Sequence, residues 1–198
     1  MLKVLGLAGS PRRGGNTDLL LEQALAGAAA AGASTELVIL NDLNIRPCQH
    51  CDGCLASGIC IIDDDMQPIY HKLREADRLI LACPIFFMGL AAQAKLVIDR
   101  CQALWVEKYL LKVRRQLARD GSRRQGLFIG VGGMRHSDLF DGARATVKAF
   151  FATCDVAYGP ELLYQGIDLY QEIRRHPTAL HEAYEAGVQI KQIFTSKP

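Results

Sequence analysis

Five short apolar runs, each followed by a stretch of helix-forming residues, predict a doubly wound α/β fold on a five-stranded, mostly parallel sheet. Two observations narrow the topology. Alternation of strand and helix implies right-handed crossovers, and five strands suit a sheet of order 2-1-3-4-5 with helices on both faces, where a closed barrel needs eight. The chain of 198 residues is 49% hydrophobic and 22% charged, which is the composition of one domain with a sizeable core. With 23 Lys+Arg against 21 Asp+Glu, its formal net charge of +2 argues against disorder and against a nucleic-acid binder.

The elements follow in order. Lys3 to Ala8 (KVLGLA) reads as a buried strand stopped by Gly9-Ser10-Pro11. Asn16-Thr17-Asp18 opens a helix rich in Leu and Ala, with Asn16 or Thr17 as N-cap and Gly32 as its stop. Ser34 to Leu40 is the second strand. A cysteine-bearing loop occupies residues 41–62, and Asp63-Asp64-Asp65 leads into a helix ending near Ala76, the acidic run complementing the helix dipole. Arg78 to Cys83 is the third strand, expected to break at Pro84. A loop of Phe, Gly and Ala then precedes a helix from about Ala92 to Tyr109. Gly126 to Val131 is the fourth strand, closed by Gly132-Gly133. A helix over 142–153, a fifth strand over 156–163 and a helix over 178–194 complete the pattern.

The uncharged stretch Leu79 to Gln93 is interrupted by Pro84 and Gly89 and falls short of the ~18 apolar residues of a membrane span. Met1-Leu2-Lys3-Val4 lacks the separate regions of a signal peptide, so the expectation is a cytoplasmic chain with no membrane partner. Ligands of such sheets bind beyond the carboxyl ends of the strands, at the switch point. That directs attention to the loops after the first, third and fourth strands.

The first of these loops reads Gly9-Ser10-Pro11-Arg12-Arg13-Gly14-Gly15-Asn16-Thr17. A loop that opens a helix presents free N–H groups and a partial positive charge, which suit a phosphate. Ser10, Asn16 and Thr17 add donors and Arg12 a cation. The triphosphate-loop pattern fails for want of its lysine, and Gly6-Leu7-Ala8 fails the dinucleotide fingerprint at the second glycine. A mononucleotide phosphate is left; the alternative is a capped surface turn.

Seven cysteines are many for a reducing compartment. Cys83, Cys101 and Cys154 are scattered and read as small core residues. Cys48, Cys51, Cys54 and Cys60 are clustered, with successive C-x2-C spacing. Structural zinc usually employs two separated knuckles, whereas a cubane presents several irons along its surface, so this spacing suits a [4Fe–4S] cluster better. Zinc and free or redox-active thiols are the alternatives. His50 and His136 read as surface histidines, His136 being also a possible proton donor beside the fourth-strand loop.

These residues carry a resemblance. The segment GSPRRGGNT resembles the FMN-phosphate loop of the NAD(P)H-dependent FMN reductase superfamily of flavodoxin-like proteins. Cys83-Pro84-Ile85-Phe86-Phe87-Met88-Gly89, with Ala92 to Lys95 and Ile98-Asp99-Arg100, resembles the isoalloxazine-contacting loop and its following helix. Gly130 to Met134 is similar to the third flavin loop. The cysteine segment with its trailing Ile62-Asp63-Asp64-Asp65-Met66 resembles the compact cluster motif of the iron–sulfur flavoproteins, a branch of that superfamily.

The resemblance implies one flavodoxin-like FMN-binding domain over residues 1–198. FMN would be held by Ser10, Arg12, Asn16, Thr17, Pro84, Ile85, Phe86, Phe87, Gly89, Gly132, Gly133 and Met134, and irons by Cys48, Cys51, Cys54 and Cys60. It also implies a homodimer or homotetramer that passes electrons from NAD(P)H or ferredoxin to a small redox acceptor. Two alternatives stand beside it: a cluster-free NAD(P)H-dependent FMN or quinone reductase, and an electron carrier docking to acidic partners. The carrier would dock through Lys112 to Arg124, where six Lys/Arg outweigh one Asp. Neither a Ser-His-Asp triad nor a carboxylate pair is expected.

Overall fold

Every residue of β1 (Lys3–Ala8) after Lys3 is buried, as a strand covered on both faces requires. The computed structural model describes residues 1–113 and 117–190. β1 pairs in parallel with β2 (Ser34–Ile39) on one side and with β3 (Arg78–Phe86) on the other. Beyond β3 come β5 (Gln125–Gly132) and β6 (Ala157–Gln165), giving the order β2-β1-β3-β5-β6, while β4 (Gly89–Leu90) pairs only with β3. Numbered among themselves, the five parallel strands run 2-1-3-4-5, and the antiparallel β4 is the addition.

Alternation along β3 shows how the two cores are separated. Leu79, Leu81 and Cys83 join Ile69, Leu73, Val97, Phe128 and Phe150 on the face of α2 (Met66–Glu75), α3 (Ala92–Arg100) and α5 (Asp141–Thr153). Ile80 and Ala82 join Leu20, Leu21, Ala24 and Ala183 on the face of α1 (Asn16–Ala30) and α6 (Ala179–Gln189). Two glycines set how closely α1 and α6 approach. A Cβ on Gly27 would lie 2.0 Å from the Tyr184 carbonyl oxygen, and one on Gly187 only 1.9 Å from that of Ala24.

Several sequence expectations are corrected. β3 does not break at Pro84 but continues to Phe86, with Pro84 in register with Val131. Its β1 neighbour has ended at Ala8, opposite Ala82, so β3 is an edge on that side, where a missing N–H is tolerated. The loop then expected is a tight β3–β4 hairpin through Phe87 and Met88, both at positive φ (49° and 62°), the geometry of a type I′ turn. The helix expected over 92–109 is interrupted: α3 ends at Arg100, and α4 (Gln102–Trp105) passes into a π-helical turn over Val106–Leu110. The Tyr70 hydroxyl donates to the Arg100 carbonyl at 2.7 Å, competing for the acceptor that a continuous helix would use there. α1 starts after Gly15 with no side-chain cap, although Gly32 (φ 79°) follows its end as expected. The predicted helix end at Phe194 lies outside the described residues.

The amino-terminal end of the sheet is closed by buried charge. Arg78 donates to the Ile190 and Asp77 carbonyls, Asp120 and Ser122, and Arg124 to the carbonyls of Leu73, Ala76 and Cys154. Among the described residues no helix is long and apolar enough to cross a membrane.

Candidate functional site

At the opposite end of the sheet, the carboxyl ends of β1, β3 and β5 frame a cleft of about 140 Å³. Ser10, Pro11, Arg12, Gly15, Asn16 and Thr17 form one wall, Pro84, Ile85, Phe86 and Val131 another, and Asp168 a third. The polar end is a helix start. The N–H groups of Asn16 and Thr17 have no carbonyl four residues back within α1, and both residues, with the buried Thr17 side chain, line the cleft. The loop before it is internally braced: Arg12 N–H donates to Ser10 Oγ, and Ser10 O–H donates to the Arg12 carbonyl, both at 3.0 Å. Gly9 cannot carry a side chain without crowding Ala94 at 2.9 Å. Asp18, almost fully buried in the first turn of α1, accepts Gly14 N–H at 2.9 Å through one oxygen, while the other has no protein partner. Burial raises its pKa, against the pull of the Gly14 bond.

The expected flavin residues divide between lining and support. Ser10, Arg12, Thr17, Pro84, Ile85 and Phe86 line the cleft. Asn16 also lines it, but its side chain is tied down: Nδ2 donates to the Leu169 carbonyl and Oδ1 accepts Ile173 N–H. Phe87 stands fully exposed at the hairpin tip and Met134 is exposed; neither lines the cleft. A Cβ on Gly89 would make only an ordinary contact, 3.7 Å from the Phe86 carbonyl oxygen, whereas one on Gly132 or Gly133 would crowd Leu139 at 2.9 Å or Asp168 at 3.0 Å. The segment after β6 escaped the sequence reading altogether. Its Asp168 enters the cleft, its Tyr170 ring faces the Arg12 guanidinium at 5.9 Å, and Ile167 N–H bonds back to Gly132 O. Its signal was positional only: β6 ends at the same edge of the sheet as β5.

The cysteine loop begins beside this cleft. Arg13 of the phosphate-side loop pairs with Asp42, and Gln93 of α3 donates to Asn41. The cysteines themselves dock farther on, against the α3–α4 junction. Cys48, Cys51, Cys54 and Cys60 line a single cavity of about 30 Å³ with Arg100, Gln102 and Ala103, and the two sites share no lining residue. His50 (φ 49°) and Asp52 (φ 59°), residue types that enter the left-handed region more readily than most, flank Cys51 and bend the chain around the cavity. Gly58 (φ 72°) packs against the π-helical turn, where a Cβ would meet Glu107 Cγ at 2.4 Å. All seven cysteines are free, and Cys83, Cys101 and Cys154 are buried as expected. Burial pushes the Cys83 thiol up to about 12, while Cys54 is raised by burial and by its three cysteine neighbours. Among the described residues no three His, Cys, Asp or Glu side chains converge closely enough to be a formed metal site.

Asp64 is not merely a dipole complement. Both its oxygens receive Arg100, at 2.6 and 3.1 Å, and it also accepts the N–H groups of Arg46 and Met66. Burial would raise its pKa, but the Arg100 bond and those N–H groups hold it below the usual carboxylate range. Asp65 accepts Asn44 N–H, so the acidic run fastens the cysteine loop at its base.

Other features stand apart from both sites. His136 is exposed and pairs with Asp138. In the basic segment Arg124 is buried and Arg119 is bound to Asp77; Arg114 and Arg115 lie outside the described residues. Two larger grooves, of about 350 and 470 Å³, are lined by charged side chains such as Lys3, Lys72, Glu75 and Arg119, and lie toward the amino-terminal ends of the strands, away from the switch point.

Residues 2–150 match the sequence family described as NADPH-dependent FMN reductase. The chain belongs to that family. Within it the similarity runs to the branch of proteins named iron–sulfur flavoproteins. One from Methanocaldococcus jannaschii is 44% identical over 103 residues, 52% of this chain and 53% of that protein. A second from the same organism is 33% identical over 151 residues, 76% of this chain and 71% of its own. The chain thus spans about half the length of the first of these FMN reductase relatives. Among solved structures, an NAD(P)H:quinone oxidoreductase from Methanothermobacter marburgensis superposes with a TM-score of 0.69 at 17% identity, over 96% of this chain and 99% of that one. At that identity the likeness establishes the flavodoxin-like fold.

Proposed function

We propose that this chain is an FMN-dependent oxidoreductase carrying a [4Fe–4S] cluster, which passes electrons from NAD(P)H or reduced ferredoxin to a small redox acceptor. The observation that carries the reading is that four unbridged thiols of one loop line a single cavity, in a chain whose strand ends form a mononucleotide-type cleft. The cleft suits FMN: helix N-terminal N–H groups and Thr17 would take the phosphate, Arg12 adds a cation beside it, and Pro84, Ile85, Phe86 and Val131 offer an apolar wall to the ring. FMN when bound supplies exchange with both one- and two-electron partners.

The cysteine cavity suits a thiolate-bound group rich in hydrogen-bond acceptors, since a buried guanidinium whose Nε–H lacks an acceptor stands in its wall. Cys48, Cys51, Cys54 and Cys60 would hold the cluster, which when bound supplies one-electron transfer. The protein's own part is to fix the ring against β3, keep the cluster loop fastened through Asp64 and Asp65, and exclude water from Cys83 and the core beneath. A cluster-free flavin reductase is the second reading, since the cleft at the strand ends shares no lining residue with the cysteine cavity.

Anaerobic purification with flavin, iron and sulfide assays distinguishes the two. The expected product is yellow-brown, with FMN, iron and acid-labile sulfide, and Cys48→Ala loses the iron while retaining FMN. Wild-type protein that binds FMN but no iron after reconstitution selects the second reading, and protein that refuses FMN overturns both.

A further inference from the structure

Arg100 has more donors than the protein satisfies. Its side chain is fully buried, and Nη1 and Nη2 donate to Asp64, with Nη1 also reaching the Arg46 carbonyl at 2.7 Å. Nη2 additionally reaches the sulfur of Cys60 and the Ile62 carbonyl, each 3.4 Å away. Nε has no partner at all, although the residue forms part of the wall of the four-cysteine cavity. The contrast with Arg78 and Arg124 is instructive, because neither of those has an orphaned buried side-chain nitrogen. A buried N–H without an acceptor is costly, and such groups in native proteins usually await one. A guanidinium also cannot discharge itself by losing a proton.

Resting on the proposed cluster, we infer that Arg100 is a positioning residue for it: Asp64 aims the guanidinium so that Nη2 hydrogen-bonds the Cys60 sulfur and the free Nε–H serves the group bound there, raising that group's reduction potential. Hydrogen bonds to cluster sulfurs stabilise the more negative, reduced state. The charge arithmetic gives the pair a sign. Arg100 and Asp64 together are neutral, so the intact pair contributes hydrogen bonds without net charge. Removing the arginine leaves a buried carboxylate beside the cluster, whereas removing the carboxylate's charge leaves a guanidinium.

The test is a spectroscopic redox titration of the reconstituted holoprotein, read by the cluster's electron paramagnetic resonance. Arg100→Gln is expected to shift the midpoint potential to more negative values, Arg100→Lys in the same direction by less, and Asp64→Asn to more positive values. A merely structural role gives no reason for opposite signs. Should these variants fail to fold, judged by lost FMN binding, wild-type protein labelled with nitrogen-15 only at arginine Nη supplies the measurement. Its reduced cluster then shows nitrogen-15 coupling in pulsed resonance. Unchanged potentials in iron-loaded variants, or no coupling in iron-loaded wild type, overturn the inference and leave the cluster reading intact. Wild type that takes up no iron overturns both.

Discussion

The two sites of this molecule are held in place by different means. The flavin-type cleft is made by strand ends, so its walls inherit their positions from the parallel register of β1, β3 and β5, and Gly9 N–H is stitched to the Ala82 carbonyl at 2.7 Å. The cysteine loop has no helix or strand between Leu43 and Ile62. It is fastened by side chains: Asp64 to Arg100, Asp65 to Asn44, and Gln67 to the carbonyls of Cys60 and Ile62 at 3.0 and 2.7 Å. A site built on a sheet spreads its support over many backbone bonds, whereas a site built on a loop concentrates it in a few side chains. Single substitutions should therefore damage the second site far more than the first.

The largest effect is expected from Asp64→Ala. It strands a buried guanidinium without its counter-charge, a loss of about 3–5 kcal/mol. Urea unfolding measures it, and a loss below about 1 kcal/mol, the scale of a surface pair, would remove the contrast between the sites. Next comes the cleft. Phe86→Ala should weaken FMN binding about tenfold, the ~1–1.5 kcal/mol of one aromatic contact, while Phe87→Ala changes it less than about twofold. Fluorescence titration of the two variants decides, and equal losses would mean that the exposed ring also reaches the flavin.

The smallest effect is a pH slope. Asp64 and Asp77 are both held below their unfolded pKa, Asp77 by Lys3 N–H and by Arg119 against the cost of its burial. Carboxylates depressed in this way contribute stability that is complete above the unfolded value of about 3.9 and is lost as pH falls through the lower folded value. Stability measured from pH 6 down to pH 2 should thus fall in the acid range. The fall should be shallower in Asp77→Asn than in wild type, and an unchanged slope would show that Asp77 carries none of it.

How much of this was legible depended on the range of the interaction. Strand alternation and sheet order are local patterns, and they placed Ser10, Thr17, Pro84, Ile85 and Phe86 at one edge. Phe87 was indistinguishable from Phe86 in sequence, because only the hairpin register, with Phe86 opposite Gly89, sends it outward. Asp64 looked like any acidic residue before a helix; its partner lies 36 residues on, and no spacing rule joins them. Asp168 carries no motif of its own, and only the end of the fifth parallel strand beside the fourth brings it to the cleft. The N-cap expectation failed for a related reason, since the polar atoms of Asn16 are taken by residues 169–173.

The close contact of Gly27 with Tyr184 and of Gly187 with Ala24 has a consequence for how the chain is made. α1 is translated early, yet Leu20, Leu21 and Ala24 share their core with Ala179 and Ala183. On the ribosome, the apolar side of α1 must wait, uncovered on that flank, until residues 179–189 have emerged. Closure of this half of the core is a contact between distant parts of the chain and is expected to be slow. A bulkier residue at Gly27 or Gly187 would therefore be felt as poor yield of folded protein during synthesis.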